Sequence, residues 1–332
     1  MGACITAIEY FLPDTIIGND ILEKEFPDMK ADKIEQKVGI RERHVAKPNE
    51  TALDLAVACS NKLLGYIDKD AIDFLIFCTQ SPDYFLPTTA CILQERLCLK
   101  TTTGAFDINL GCSGYIYGLA VSKGLIAAGI AENVLLVTAE TYSKHIHPGD
   151  RGNRTIFGDG SAATLVSASK SEKIFEFVLG TNGKGHANLI VPNGGMRHRY
   201  QEHAPEETDK NGCIRTDNHL FMNGPEIFNF TIGAIPQLVG DILKKNSMSL
   251  EGVDYVIFHQ ANTYILDYLR KKIKIPPDKF YMDMTATGNT VSATIPIAIK
   301  DALEKGLIKP GDKVLLAGFG VGYSWGAVLI EI

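Results

Sequence analysis

The chain predicts an α/β fold built from two duplicated halves, and three observations carry that prediction. Ile72-Asp73-Phe74-Leu75-Ile76-Phe77-Cys78-Thr79-Gln80 in the first half is matched by Val253-Asp254-Tyr255-Val256-Ile257-Phe258-His259-Gln260 in the second. Val134-Leu135-Leu136-Val137 is echoed by Val314-Leu315-Leu316-Ala317, each near the end of its half. These runs are short, continuous and rich in aliphatic and aromatic residues, as buried strands are. The third observation is that strand-like runs alternate with apolar helical segments, which is the pattern of strand–helix units. The small polar run Ser167-Ala168-Ser169-Lys170-Ser171 marks the junction, dividing the chain into residues 1–170 and 171–332.

Taken in order, residues 104–110 read as a buried strand, and the stretch from Ser113 through Tyr117, Leu119, Ala120 and Leu125 reads as an apolar helix. Gly111-Cys112-Ser113-Gly114 then forms the turn between them. Residues 253–258 read as a strand feeding a helix from Thr263, with His259 at the strand end. Asn289 lies in the small-residue loop Ala286-Thr287-Gly288-Asn289-Thr290-Val291-Ser292, which leads into Pro296 and a helix through Ile299 and Leu303. The polar stretch 181–218, rich in Gly, His and Asn, reads as a surface flap.

Length and composition fit a large enzyme: 332 residues, 45% hydrophobic, 22% charged, formal net charge −6. Mild acidity argues against a nucleic-acid partner. No apolar run approaches the ~20 residues that span a bilayer, and the N-terminus lacks a basic-then-apolar signal, so the expectation is a cytoplasmic protein without membrane insertion. Seven cysteines without a Cys-x-x-Cys pair suggest neither a disulfide framework nor a zinc site, and most are expected to be buried. His145-Ile146-His147 and the pair His198 and His203 lack companions at metal-site spacing and are expected to be solvated, so no metal is expected. Gly158-Asp159-Gly160 lacks the lysine of a phosphate loop and reads as a structural turn.

Cys112, His259 and Asn289 together offer a nucleophile, a base and an amide donor. A thiol needs help to act as a thiolate, and a helix N-terminus or a nearby imidazole supplies it. The flanking glycines permit a tight turn and close substrate approach, and the first-turn amides would stabilise a sulfur anion. Taken alone, Cys112 reads equally as a buried inert thiol. Likewise His259 and Asn289 alone read as a satisfied core histidine and an ordinary turn.

These motifs, with Gly39-Ile40-Arg41-Glu42-Arg43, Pro48-Asn49-Glu50-Thr51, Asp150-Arg151-Gly152, Phe157-Gly158-Asp159-Gly160 and Trp325-Gly326, make the chain resemble β-ketoacyl-acyl-carrier-protein synthase III. The resemblance spans essentially the whole chain. It implies a thiolase-like five-layer αβαβα fold with the site between the halves, and a catalytic triad of Cys112, His259 and Asn289. It further implies acyl transfer from a thioester to Cys112, then decarboxylative Claisen condensation with malonyl-acyl-carrier protein to begin a fatty acid. The implied oxyanion donors are the backbone N–H groups of Cys112 and Val321. No cofactor is implied, since coenzyme A and phosphopantetheine thioesters are substrates. Arg151 matches a position near the nucleotide end of coenzyme A, Gly224 and Asn262 match the pantetheine channel, and Phe319 falls in the substrate-binding set. The basic cluster Arg270, Lys271, Lys272 reads either as a solvated helix end or as a landing patch for an acidic partner. The resemblance favours acyl-carrier-protein docking, and it implies a homodimer.

Departures from the family pattern leave the substrates open. Lys33 and Lys37 stand where many members place an adenine-stacking tryptophan and an arginine, and Tyr264 replaces a common arginine. The primer thioester is therefore open between acyl-CoA and a carrier-bound form. Leu86 aligns with the position that closes the acyl pocket across the dimer, and its size suggests primers longer or more branched than acetyl. A specialised relative serving a secondary-metabolite or surface-lipid pathway, or passing the acyl group to another acceptor, stays open, as does a non-catalytic acyl-binding subunit. A degradative thiolase would carry a second cysteine near Gly318-Phe319-Gly320-Val321-Gly322, and a hydroxymethylglutaryl-CoA synthase a glutamate at Gln80.

Overall fold

In a computed structural model, which describes residues 2–332, the first half runs β1 (Gly2–Phe11), β2 (Thr15–Gly18), α1 (Asn19–Glu25), α2 (Ala31–Val38), β3 (Glu42–Val45), α3 (Ala52–Leu64), β4 (Phe74–Cys78), α4 (Thr89–Arg96), β5 (Gly104–Ile108), α5 (Gly114–Ala127), β6 (Asn133–Glu140) and β7 (Gly160–Ser169). The second half continues with β8 (Ile174–Thr181), the two-residue strands β9 (Leu189–Ile190), β10 (Glu207–Thr208), β11 (Ile214–Arg215) and β12 (Phe221–Met222), then α6 (Gly224–Lys245), β13 (Tyr255–Phe258), α7 (Thr263–Ile273), α8 (Thr294–Glu304), β14 (Lys313–Gly320) and β15 (Ser324–Glu331).

The two main sheets have the same plan. One is ordered β1-β7-β6-β4-β5 and the other β8-β15-β14-β13. In each, the first two neighbours pair antiparallel, the second and third antiparallel, and the third and fourth parallel. The second sheet lacks a full equivalent of β5, but a single parallel bridge from Val256 to Phe280 stands in its place. The repeat seen in the sequence is kept in register: Phe74 pairs with Val134, and Tyr255 with Val314. Even the strand entry is duplicated. Asp73 accepts from the Glu132 and Asn133 amides at 2.8 and 2.9 Å, and Asp254 accepts from the Lys313 amide at 2.8 Å.

Side-chain parity explains why the strand runs are apolar throughout instead of alternating. On β6, Val134 and Leu136 face the space between the sheets while Leu135 and Val137 face α3 and α4. On β14, Val314 and Leu316 face the same central space, while Leu315 and Ala317 face the α6–α7 side. Both faces of each sheet are covered, so both must be apolar. α5 and α8 fill the central layer, α8 through Ile295, Ala298, Ile299 and Ala302, one stripe of a 3.6-residue period. The result is a five-layer αβαβα stack.

Two expectations are corrected. The strand over 104–110 stops at Ile108, because the Leu110 carbonyl turns away to accept from Cys78 Sγ at 3.2 Å. Only Cys59, Cys78 and Cys112 are buried; Cys4 and Cys213 are half-buried, and Cys91 and Cys98 are exposed.

Candidate active site

Cys112 occupies the turn between β5 and α5 and is 5% exposed. Packing explains its glycine neighbours. A Cβ on Gly114 would lie 2.3 Å from Cys78 Sγ, and one on Gly111 2.5 Å from Gln80 Oε1. Gly320, at the end of β14, is held to the same rule from the other side, since a Cβ there would sit 2.8 Å from Cys112 Sγ. His259 extends β13 by one residue, its N–H donating to the Ala317 carbonyl at 2.8 Å. Its ring is buried, with Nδ1 2.7 Å from Thr294 Oγ1 and the Phe319 ring edge-on at 6.0 Å between centroids.

Asn289 is fixed through its backbone, which exchanges hydrogen bonds with Ile156 and Gly158 at 2.9 and 3.0 Å. Gly288 precedes it at φ +67°, a conformation glycine adopts without strain. The Asn289 Oδ1 accepts from the Val291 amide at 2.9 Å. That leaves Nδ2 as a donor for the adjoining cavity. The surrounding motifs hold these loops in place. Asp159 accepts from the amides of Ala46 and Ser143 and from the Ser143 hydroxyl, and the Arg43 guanidinium, 1% exposed, donates to Ile17 O, Asn19 Oδ1 and Thr155 O.

The three side chains meet at one cavity of about 520 Å³. Its walls also hold Lys37, Gly224, Asn262 and Phe319 from the predicted set, together with Ile156, Phe157, Leu189, Met222, Ile227, Phe228 and Tyr264. Gly224 opens α6 with nothing within 4 Å of where a Cβ would be. Asn262 has a second task that the sequence motif did not reveal: its Oδ1 caps α7 by accepting from the Ile265 amide at 2.9 Å. Leu189 comes from the segment read as a polar flap, Met222 from β12 just after it and Ile227 from α6. The apolar pair Phe221-Met222 just beyond that polar stretch is the signal for them.

An outer cleft of about 800 Å³ adjoins the cavity, sharing Lys37, Val38, Ile156, Met222, Gly224 and Pro225 with it. Lys33 and Arg151 line this cleft, with Lys30, Lys210 and Arg215. In the free chain Arg151 is held by both Asp28 oxygens at 2.6 and 2.7 Å and by the Asn211 carbonyl. Val321 is not on the cavity wall, but its backbone amide, like that of Cys112, draws the Cys112 thiol's pKa downward.

Other predicted residues lie away from the cavity. Leu86 is 81% exposed on an outward loop beside the exposed Tyr84 and Phe85. Of the basic cluster on α7, Arg270 and Lys271 both pair with Asp267, at 2.8 and 2.6 Å, and Lys272 donates to the Ile232 carbonyl. His145 and His147 are not solvated: one packs edge-on against Tyr142 and the other against His219, with Glu206 at 3.4 Å. His198 and His203 are exposed. Among the described residues no group of three or more His, Cys, Asp or Glu could hold a metal ion.

Electrostatics corrects one expectation. Burial first, and the nearby Glu140 second, push the Cys112 thiol up to about 12, against the pull of the Val321 and Cys112 amides. Burial lowers His259 to about 3. The resting pair is a thiol and a neutral imidazole, not a preformed thiolate, because burial removes more solvation than two amides return. A nucleophile, a side-chain amide donor, an imidazole and two convergent backbone N–H groups around an apolar cavity can carry acyl transfer and hold the oxyanions that arise in it.

Comparison with known proteins agrees with this geometry. Residues 106–183 match the family described as 3-oxoacyl-[acyl-carrier-protein] synthase III, and residues 243–332 match its C-terminal part. The β-ketoacyl-[acyl-carrier-protein] synthase III of Clostridium perfringens is 35% identical over 97% of both chains. That of Caldanaerobacter subterraneus subsp. tengcongensis is 37% identical over 100% of this chain and 98% of its own. A crystal structure of a 3-oxoacyl-(acyl-carrier-protein) synthase III superposes with a TM-score of 0.98, at 46% identity and full coverage of both chains. With the duplicated five-layer stack and with Cys112, His259 and Asn289 gathered at one cavity, this full-length similarity establishes that the chain belongs to the β-ketoacyl-acyl-carrier-protein synthase III family.

Proposed function

We propose that this chain starts fatty acids by moving an acyl group from a thioester onto Cys112 and condensing it with malonyl-acyl-carrier protein. The observation that carries the reading is the meeting of Cys112, His259 and Asn289 on one apolar cavity that adjoins a lysine- and arginine-lined cleft. The cleft suits the phosphates of coenzyme A or phosphopantetheine, and the cavity suits an acyl chain. Cys112 Sγ attacks the primer carbonyl, the oxyanion rests on the Cys112 and Val321 amides, and the thiol proton leaves with the departing thiol. The malonyl thioester then loses carbon dioxide. Its enolate oxygen is held by His259 and Asn289, its carbon attacks the acyl-enzyme, and Cys112 leaves as a thiolate that takes up a proton from water as the 3-oxoacyl thioester forms. Each such donor is worth about 10²–10³ in rate. No cofactor enters the scheme.

The exposed Tyr84-Phe85-Leu86 tip supports a homodimer in which Leu86 closes the neighbour's pocket, with room for primers larger than acetyl. Lys271 and Lys272 offer the exposed part of a carrier-protein landing patch, with Arg270 turned inward onto Asp267. Among the described residues no helix is long and apolar enough to cross a membrane.

Intact-mass spectrometry tests the scheme. The protein and Cys112→Ala are incubated with a panel of acyl-CoA and acyl-carrier thioesters, then with malonyl-carrier protein. An adduct on the unaltered chain alone, discharged as a 3-oxoacyl carrier product, is expected. An adduct that malonyl-carrier protein cannot discharge would point to another acceptor, and no adduct with any donor would sink the enzymatic reading.

A further inference from the structure

We infer that Thr294, the first residue of α8, is a positioning residue that keeps the single proton of the His259 imidazole on Nε2, the nitrogen left for the cavity. The inference rests on the reading of His259 as a donor to the enolate oxygen. Thr294 Oγ1 has two neighbours that can accept its one hydrogen: His259 Nδ1 at 2.7 Å and the Val291 carbonyl oxygen at 3.0 Å. The two choices give opposite active sites. If the hydroxyl donates to Val291, then Nδ1 must carry the ring proton and donate to Oγ1, and Nε2 presents a bare lone pair to an oxygen gathering negative charge. If the hydroxyl donates to Nδ1, the shorter contact, Nε2–H completes a donor pair with Asn289 Nδ2.

Thr294 and His259 are 3% and 1% exposed, so little water competes for the hydroxyl. Burial also holds the ring neutral, so it offers one N–H and not two, and the tautomer decides its role. A second observation shows what competes for that proton. Val291, β-branched, sits at φ +56°, a strained left-handed conformation. That turn directs its N–H to Asn289 Oδ1 and brings its carbonyl to Thr294 and the His259 ring. One strained residue thus orients the Asn289 amide and frames the choice that the Thr294 hydroxyl makes.

The experiment is ¹⁵N NMR of histidine-labelled protein, unaltered and as Thr294→Val and Thr294→Ser, beside the two half-reactions measured separately. The unaltered chain and T294S should show the His259 Nε2–H tautomer. In T294V the polar group left beside the ring is the Val291 carbonyl, a pure acceptor, so the ring should switch to Nδ1–H. Condensation from the acyl-enzyme should then fall roughly 10²–10³-fold while acylation of Cys112 stays within a few-fold, and T294S should recover both. An Nδ1–H tautomer in the unaltered chain overturns the inference, and that spectrum needs no variant to fold. So does a T294V protein with unchanged tautomer and condensation. Because the tautomer is read on the free protein, absence of any Cys112 adduct would count against the functional reading alone.

Discussion

At Gly320 a single hydrogen in place of a methyl decides whether the nucleophile has room. A Cβ there would press on Cys112 Sγ at 2.8 Å and on Cys112 Cβ at 2.9 Å, and neither sits at the free end of a long side chain. Gly320→Ala is expected to cost about 1–3 kcal/mol by overpacking and, by moving the sulfur, to slow acyl-enzyme formation about 100-fold or more. Thermal melting and an intact-mass time course would measure the two effects, and an unchanged acylation rate would show the turn to be looser than the packing indicates. The same scale shows why Cys112 is not a thiolate at rest. Two amides reach the sulfur, but its burial and the neighbouring Glu140 weigh more, so the substrate itself must draw out the nucleophile.

Elements explain how residues far apart in the chain reach one cavity. α7 opens directly after His259-Gln260-Ala261, and Asn262 both caps it and lines the cavity. α2 meets α7 closely at Gly39, φ +73°, where a Cβ would come within 2.0 Å of Thr263 Cγ2, so Lys37 and Asn262 are brought to the wall of one cavity. The two tasks of Asn262 can be separated. Asn262→Ala should lose the cap and about 0.5–2 kcal/mol of stability. Asn262→Asp should keep the cap, which the helix N-terminus favours, yet place a charge on the channel wall. Its melting temperature should match the unaltered chain while KM for the primer thioester rises. A D variant with unchanged KM would remove Asn262 from the substrate path.

Across the whole molecule, Glu140 ties the halves together at their junction. Both carboxyl oxygens accept from the Gln80 amide at 3.1 Å, and the Ser81 and Ser292 hydroxyls donate at 3.0 and 3.1 Å. Burial pushes this carboxyl up to about 8 from an ordinary 4.5. Its stabilising contribution is therefore complete below about 4.5 and is lost as pH rises through about 8. His259 acts in the opposite sense: lowered from 6.5 to about 3, its contribution is complete above 6.5 and is lost as pH falls toward 3. Between pH 6.5 and 8 only Glu140 of these two tilts the curve, by at most about 1.4 kcal/mol per unit. Denaturant melts across that window should show stability falling in the unaltered chain and flat in Glu140→Gln. Parallel curves for the two proteins would mean that Glu140 is ionised throughout.

The sequence by itself determined the strand cores, their repeat and the identities of the three candidate reacting side chains. Each is a local property: continuous apolar runs, an aspartate at a strand entry, a cysteine between glycines. Even so, α6 hides from such a reading, because Pro236, Gly233 and Gly240 interrupt its helical pattern. β1 hides as well, being defined by its antiparallel pairing with β7, 150 to 167 residues downstream. Only the tertiary structure decided the rest. It placed Leu189 and Met222 on the cavity wall, turned Leu86 outward, and spent Arg270 on Asp267. It also set the charge states and hydrogen-bond partners of the site, through contacts between residues distant in sequence: Cys112 with Gly320, His259 with Thr294, and Glu140 with Ser292. Solvation and hydrogen-bond direction depend on what the folded chain brings alongside a group, and no window of neighbouring residues contains that information.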